Sequence, residues 1–132
     1  MTGSFVFINL VTKNVAAARE FYTKLGFDIN KDYSTDENVF VVIADKVQLI
    51  LAHESFLRQH GESREFADAT KATEGSIAIS VDRRETVDQL FERAIAAGGK
   101  DAGTVEEKEF GLYARAFYDL DGHKIDINHM SL

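Results

Sequence analysis

One pattern occurs twice along this 132-residue chain, and that duplication restricts its fold more than any other feature. A shift of 69 residues lays Phe7-Ile8-Asn9-Leu10 on Ser76-Ile77-Ala78-Ile79. The same shift lays Val15, Ala18, Phe21 and Tyr22 on Arg84, Val87, Leu90 and Phe91. A shift of 76 lays Gln48-Leu49-Ile50-Leu51-Ala52-His53 on Lys124-Ile125-Asp126-Ile127-Asn128-His129. Self-similarity of this kind marks a copied supersecondary unit.

The first copy reads as β-α-β-β-β. Residues 5–11 (FVFINLV) are a short apolar run rich in β-branched and aromatic side chains, hence a buried strand. Asn14 is a good N-cap, and Val15, Ala18, Phe21, Tyr22 and Leu25 recur at helical spacing until Gly26 stops them. A short strand is expected at 27–30, then two more at 39–44 and 46–52 joined at Asp45. In the second copy, Ser76 to Val81 is a strand, and Asp82-Arg83-Arg84-Glu85 has the D-x-x-E spacing of a capping box. Val87, Leu90, Phe91, Ala94 and Ala97 form a helical face that ends at Gly98-Gly99. Tyr113 to Asp119 and Lys124 to Met130 make a hairpin over Asp121-Gly122, a dipeptide suited to tight turns. The fold expected is α+β: one domain over residues 1–132, with module 1 at about 5–53 and module 2 at about 76–130. The polar segment 54–75 between them reads as a connector with some helix near SFLRQH.

Composition removes several functional classes. With no cysteine there is no thiolate metal site, iron–sulfur cluster or cysteine nucleophile, and a reducing compartment is the default. Asp and Glu number 22 against 15 Lys and Arg, and the net charge of −7 repels phosphate backbones and anionic lipid. No nucleic-acid partner and no membrane partner is therefore expected. Without a signal-peptide pattern or an apolar run of about 20 residues, a cytoplasmic location is expected. The Asp119-x-Asp121-Gly122 spacing suggests a calcium loop, but an EF-hand register would make Phe117 its first ligand and Asn128 its twelfth, which excludes one. No phosphate-binding glycine loop, nucleophile elbow or H-E-x-x-H motif occurs.

Three segments in order, INLVTKNVAAAREFYTKLGF, GSIAISVDRRETVDQLFERAIAAGGK and FYDLDGHKIDINHM, resemble the vicinal oxygen chelate superfamily of glyoxalase I, bleomycin-resistance proteins and extradiol dioxygenases. The last is similar to that family's D-P-D-G-x-x-x-E strand, with Leu120 in place of proline and Asp126 in place of glutamate. The resemblance implies paired βαβββ modules forming a mixed sheet curled around a cleft, helices on the outer face, and a homodimer. It also implies that metal-using members draw four ligands from the first and last strand of each module. The matching positions here are Phe7, Ile50, Ser76 and Asp126. Phenylalanine and isoleucine have no lone pair to give and a serine hydroxyl is a poor ligand, so only Asp126 is competent. No cofactor is expected on this ground, with a divalent metal as the alternative.

Given these matches, alternation along the strands places Phe5, Phe7, Asn9, Gln48, Ile50 and Ala52 on the cleft face of module 1. Ser76, Ala78, Ser80, Asp126 and Asn128 take that face in module 2. Half apolar and half polar, such a surface suits a small organic ligand oriented by a few hydrogen bonds. For Asp126, three roles stand open: general base, ligand contact, or a carboxylate paired with Ser76, Asn128 or Lys124. His53 and His129 end equivalent strands on the face opposite Asp126, His123 sits in a turn expected to be exposed, and His60 lies in the connector. Tyr22, Tyr113 and Tyr118 are second-tier contacts. The expected function is metal-independent binding or sequestration of a small molecule; the alternative is a metal-dependent lyase, isomerase or dioxygenase.

Overall fold

The structure, a computed structural model, describes residues 1–131. The chain packs as two compact units that divide after Ala67. Each contains one copy of the repeat and one four-stranded mixed sheet. Neither sheet closes into a barrel.

In the first unit the elements are β1 (Val6–Val11), α1 (Val15–Leu25), β2 (Asp28–Ile29), β3 (Asn38–Ala44), β4 (Val47–Ala52) and α2 (Glu54–Gln59). The sheet order is β1-β4-β3-β2, with β1 and β4 parallel and the other pairs antiparallel. Asn14 starts α1 by accepting the Ala17 N–H at 2.9 Å, and Gly26, in left-handed backbone (φ 101°), ends it. The helix buries Val15, Ala18, Phe21, Tyr22 and Leu25. It packs on β3 and β4, whose Val39, Val41, Leu49 and Leu51 are fully buried.

In the second unit, β5 (Ser76–Ser80), α3 (Arg84–Ala96), β6 (Lys100–Glu107), β7 (Leu112–Tyr118) and β8 (Lys124–Met130) follow one another, with a 3-10 turn at Lys108–Phe110. The order β5-β8-β7-β6 repeats the first sheet, again with one parallel pair, β5 and β8. α3 buries Val87, Phe91 and Ala94 against β7 and β8, where Phe117, Ile125 and Ile127 are buried. Two expectations need correction. The helix starts from Arg83, which makes no side-chain cap bond, so the Asp82–Glu85 capping box does not form. Residues 100–107, unassigned from sequence, form the edge strand β6. No helix among the described residues is long and apolar enough to cross a membrane.

Candidate functional site

Register decides which side chains share a sheet face. In the second unit Ser76 pairs Lys124, Ala78 pairs Asp126, and Ser80 pairs Asn128. On the other side of β8, Tyr118, Ala116 and Ala114 stand opposite Lys124, Asp126 and Asn128. All lie on the face away from α3, because Phe117, Ile125 and Ile127 take the helix side. Asp126 therefore has an alanine on either side. Its Oδ1 is buried and has no hydrogen-bond partner among the described residues. Asn128 does not serve it, because its Oδ1 accepts from the Ser80 hydroxyl at 2.7 Å. A carboxylate oxygen removed from water and left without a donor costs about 1–3 kcal/mol. The arrangement stands ready for an N–H or O–H from outside this unit's own side chains.

The equivalent face of the first unit is built differently. Phe7 pairs Gln48, and Asn9 pairs Ile50, which in turn faces Phe40. Phe5, just before β1, stacks on Phe7 with ring centroids 4.8 Å apart, and Phe40 meets Phe7 edge-on at 6.1 Å. Phe5 and Phe7 are 43% and 48% exposed. Gln48 accepts from the Asn30 amide at 3.2 Å. Ile50 and Ala52 are buried with Leu57 of α2, and Val11, Phe40, Phe56 and Phe66 pack around them. The connector thus covers part of this face: α2 seats its one buried residue, Leu57, on the cluster.

Of the four positions where the superfamily resemblance expects a metal, Phe7 and Ile50 carry no donor atom, and Ile50 is committed to the cluster under Leu57. Ser76 brings only a hydroxyl. The donor set does not fit a divalent ion. A separate group, Asp119, Asp121 and His123, does bring its ligand atoms within 4.8 Å of one another. These residues also build the β7–β8 turn. Asp119 Oδ1 accepts the backbone N–H groups of Asp121 and His123, both at 2.9 Å.

The histidines are mostly in local structural roles. His53 caps α2, its Nδ1 accepting the Ser55 N–H at 3.2 Å. His60 stacks on Phe56, and His129 Nδ1 bonds to the Val81 carbonyl at 2.9 Å. His123, expected to be exposed, is instead 1% exposed, with Nδ1 against the Glu74 carboxylate. The cause is the connector. Its backbone at Ala69 and Thr70 lies so close to Gly122 that a Cβ there would sit 2.7 Å from Thr70 N.

One polar constellation escaped the sequence reading. On the α3 side of the second sheet, Asp88 Oδ1 accepts from the Tyr113 hydroxyl at 2.5 Å and from Arg115 Nη1 at 3.0 Å. The Tyr113 hydrogen bond, seconded by Arg115, holds Asp88 below the ordinary aspartate range, and the Asp88 bond pushes Tyr113 up. The Arg115 guanidinium lies 3.7 Å from the Phe91 ring centroid. Helical periodicity at Arg84 and Asp88 marks their shared side of α3 but not their partners, Glu106 on β6 for Arg84 and Tyr113 and Arg115 on β7 for Asp88. Tyr22 is core, whereas Tyr118 lines a separate cavity.

A duplicated βαβββ unit with a mixed four-stranded sheet per copy defines a glyoxalase-type α+β fold. The comparisons carry this to the family. The model of the Glyoxalase/Bleomycin resistance protein/Dioxygenase superfamily matches residues 4–127, and the chain belongs to that superfamily, within the vicinal oxygen chelate group. A search among curated proteins finds no match. Among solved structures, the chain is similar to hypothetical protein SA1046 from S. aureus, with a TM-score of 0.77 and 26% identity over 98% of this chain and 94% of that one. The fosfomycin resistance protein FosX from Listeria monocytogenes gives a TM-score of 0.71 at 21% identity, covering 100% of this chain and 97% of that one. Lactoylglutathione lyase from Agrobacterium tumefaciens gives 0.71 at 16%, covering 97% and 94%. The last two speak for the fold alone.

Proposed function

We propose that the chain binds a small organic molecule through the Asp126 face of its second sheet, and that it does so without a metal ion. The observation that carries this reading is the buried, unpartnered Oδ1 of Asp126 between Ala78 and Ala116. A stable protein has little reason to keep such an oxygen unless something donates to it. The ligand is therefore one that presents a hydroxyl or an amine to the carboxylate. Ser76, Ser80 and Asn128 offer further polar contacts beside it, and the small alanines leave room for the ligand's body. On the first unit's own sheet face, exposed Phe5 and Phe7, with Asn9 and Gln48, are offered as ligand contacts in their own right; Ile50 and Ala52 support that face from beneath α2. We read the working form as a homodimer in the cytoplasm, with neither nucleic acid nor membrane as partner.

Elemental analysis joined to a melting-temperature screen tests this. The protein is purified without chelator, reloaded with nickel, zinc, manganese or ferrous iron, and screened against hydroxyl- and amine-bearing fragments. Fragments that raise the Tm of the wild type but not of Asp126→Asn, with no metal retained, support the reading. Stoichiometric metal that is lost in Asp126→Ala overturns it in favour of a metal-dependent lyase, isomerase or dioxygenase. Metal lost in Asp121→Ala instead belongs to the hairpin turn and leaves the Asp126 reading to the fragment screen.

A further inference from the structure

The second unit holds a cavity of about 380 Å³ that shares only Tyr118 with the Asp126 row of its sheet and does not include Asp126. It lies at the β7–β8 hairpin end, between the connector at 69–73, the segment that leads from α3 into β6, and the turn after β7. Its volume falls within the range of small-molecule sites.

The lining has an unusual charge for this protein. Lys71 and Lys100 both border the cavity, and neither ammonium makes an ion pair or hydrogen bond among the described residues. In a chain of net charge −7, with carboxylates in excess, two unpaired ammonium groups at one cavity are out of keeping with the surface. Thr73 and Tyr118 add two hydroxyls that also make no hydrogen bond among the described residues. Asp119 borders the cavity as well, but its Oδ1 is engaged by the two N–H groups of its turn. Ala72 and Leu120 supply apolar wall. The Leu120 side chain reaches back to Gly98, where an added Cβ would meet it at 3.2 Å.

We propose that this cavity is a second binding site, specific for a small organic anion, a carboxylate or phosphate monoester on a short apolar body. Lys71 and Lys100 neutralise the charged head while Thr73 and Tyr118 donate hydrogen bonds to its oxygens. Ala72 and Leu120 take the apolar body. The connector, which supplies Lys71, Ala72 and Thr73, is held in place by the close contact of Ala69 and Thr70 with Gly122. The site is therefore formed before the ligand arrives.

Amide NMR with benzoate, phenyl phosphate, benzamide and inorganic phosphate tests the proposal. Benzoate or phenyl phosphate is expected to shift the Thr73, Gly98 and Gly122 resonances saturably, at concentrations up to about 10 mM, which covers even millimolar binding. Whichever of the two binds more tightly identifies the head group. The double variant Lys71→Ala/Lys100→Ala should weaken binding at least about tenfold, and Ala72→Phe, which keeps the charge but fills the space, should abolish it. Asp126→Asn should leave it unchanged. The proposal is overturned if no shifts appear, if benzamide acts as well as benzoate, or if inorganic phosphate acts as well as phenyl phosphate. Shifts that survive both cavity variants, or that vanish in Asp126→Asn, overturn it too.

Discussion

Replacing Asp126 with alanine is expected to stabilise the protein. Most core-facing substitutions on an interior strand destabilise, and β8 is interior, flanked by β5 and β7. Here the balance is reversed by one atom. Oδ1 is buried without a donor, and an unsatisfied polar atom of this kind costs about 1–3 kcal/mol. The residue as a whole is only partly buried, so its other oxygen keeps some of its solvation and the low end applies. Alanine leaves little cavity between Ala78 and Ala116, and neither residue is a strong strand former, so the packing and propensity changes nearly cancel. The net gain is about 1 kcal/mol. For 132 residues this lifts the Tm by about 3–4 °C, since unfolding entropy scales with chain length.

The assay is a thermal melt at neutral pH without ligand, backed by urea unfolding to check that the slope is unchanged. Asn128→Ala is the internal comparison. It lies two residues along the same strand and face, and it removes a bond that is made, the one from Ser80. It should lower stability by under about 1 kcal/mol. Opposite signs at neighbouring positions are the signature of one residue shaped for folding and another held in reserve for a ligand. If Asp126→Ala instead lowers the Tm by several degrees, the carboxylate has a structural partner. The reasoning that makes it a binding group then fails.

Gly122→Ala should destabilise by about 2 kcal/mol or more, because the backbone there is left-handed (φ 86°) and the new Cβ would press on Ala69 and Thr70 backbone. Urea unfolding reads the loss, and a change in the His123 ring resonances should accompany it as the connector lifts. Unchanged stability would mean that the turn and the connector are not in contact. For the Asp88 network, the folded pKa is lowered by the Tyr113 hydrogen bond first and by Arg115 second. Its stabilisation is thus complete above the ordinary aspartate value of 3.8 and is lost as pH falls through the folded value. Tyr113, raised above its ordinary 10.0, contributes below that value and loses its contribution as pH rises through the folded one. The urea-midpoint gap between wild type and Asp88→Asn should be flat from mildly acid to neutral pH and close as the pH falls below the ordinary aspartate value. A gap that stays constant into acid refutes the linkage.

Strands with an apolar row were legible from sequence because burial on one face imposes a period of two, and helices because α1 and α3 bury a 3.6-period face. β6 was not. Its residues KDAGTVEE are nearly all exposed and pair only with β7, so no alternation was required of them. The capping box at Asp82 failed because the helix starts one residue later, and Glu85 instead lies 3.6 Å from Arg83. His123 was misjudged because its burial comes from the connector at 69–70, a contact with no local signature. The shared faces of Phe7 with Gln48 and of Ala78 with Asp126 follow from parity alone. The lack of a donor for Asp126 Oδ1 does not, since it depends on the small size of neighbours across two strand pairings.

The two copies of the repeat show how one scaffold position takes opposite chemistry. Ile50 and Asp126 are equivalent, as are Ala52 and Asn128. In the first unit a helix lies on that face, and Leu57 with Phe56 excludes water from Ile50 and Ala52. A carboxylate or imidazole at position 50 would be stranded there without a partner, at a cost beyond what a marginally stable domain tolerates. In the second unit Asp126 and Asn128 remain only partly buried, and polar side chains persist. The absence of a metal-ligand donor at Ile50 is therefore more than a missing residue. It is coupled to the seating of α2, and a ligand could not be restored there without displacing that helix. What the second copy keeps at the equivalent place is Asp126, the one carboxylate among the described residues with a buried oxygen left unsatisfied.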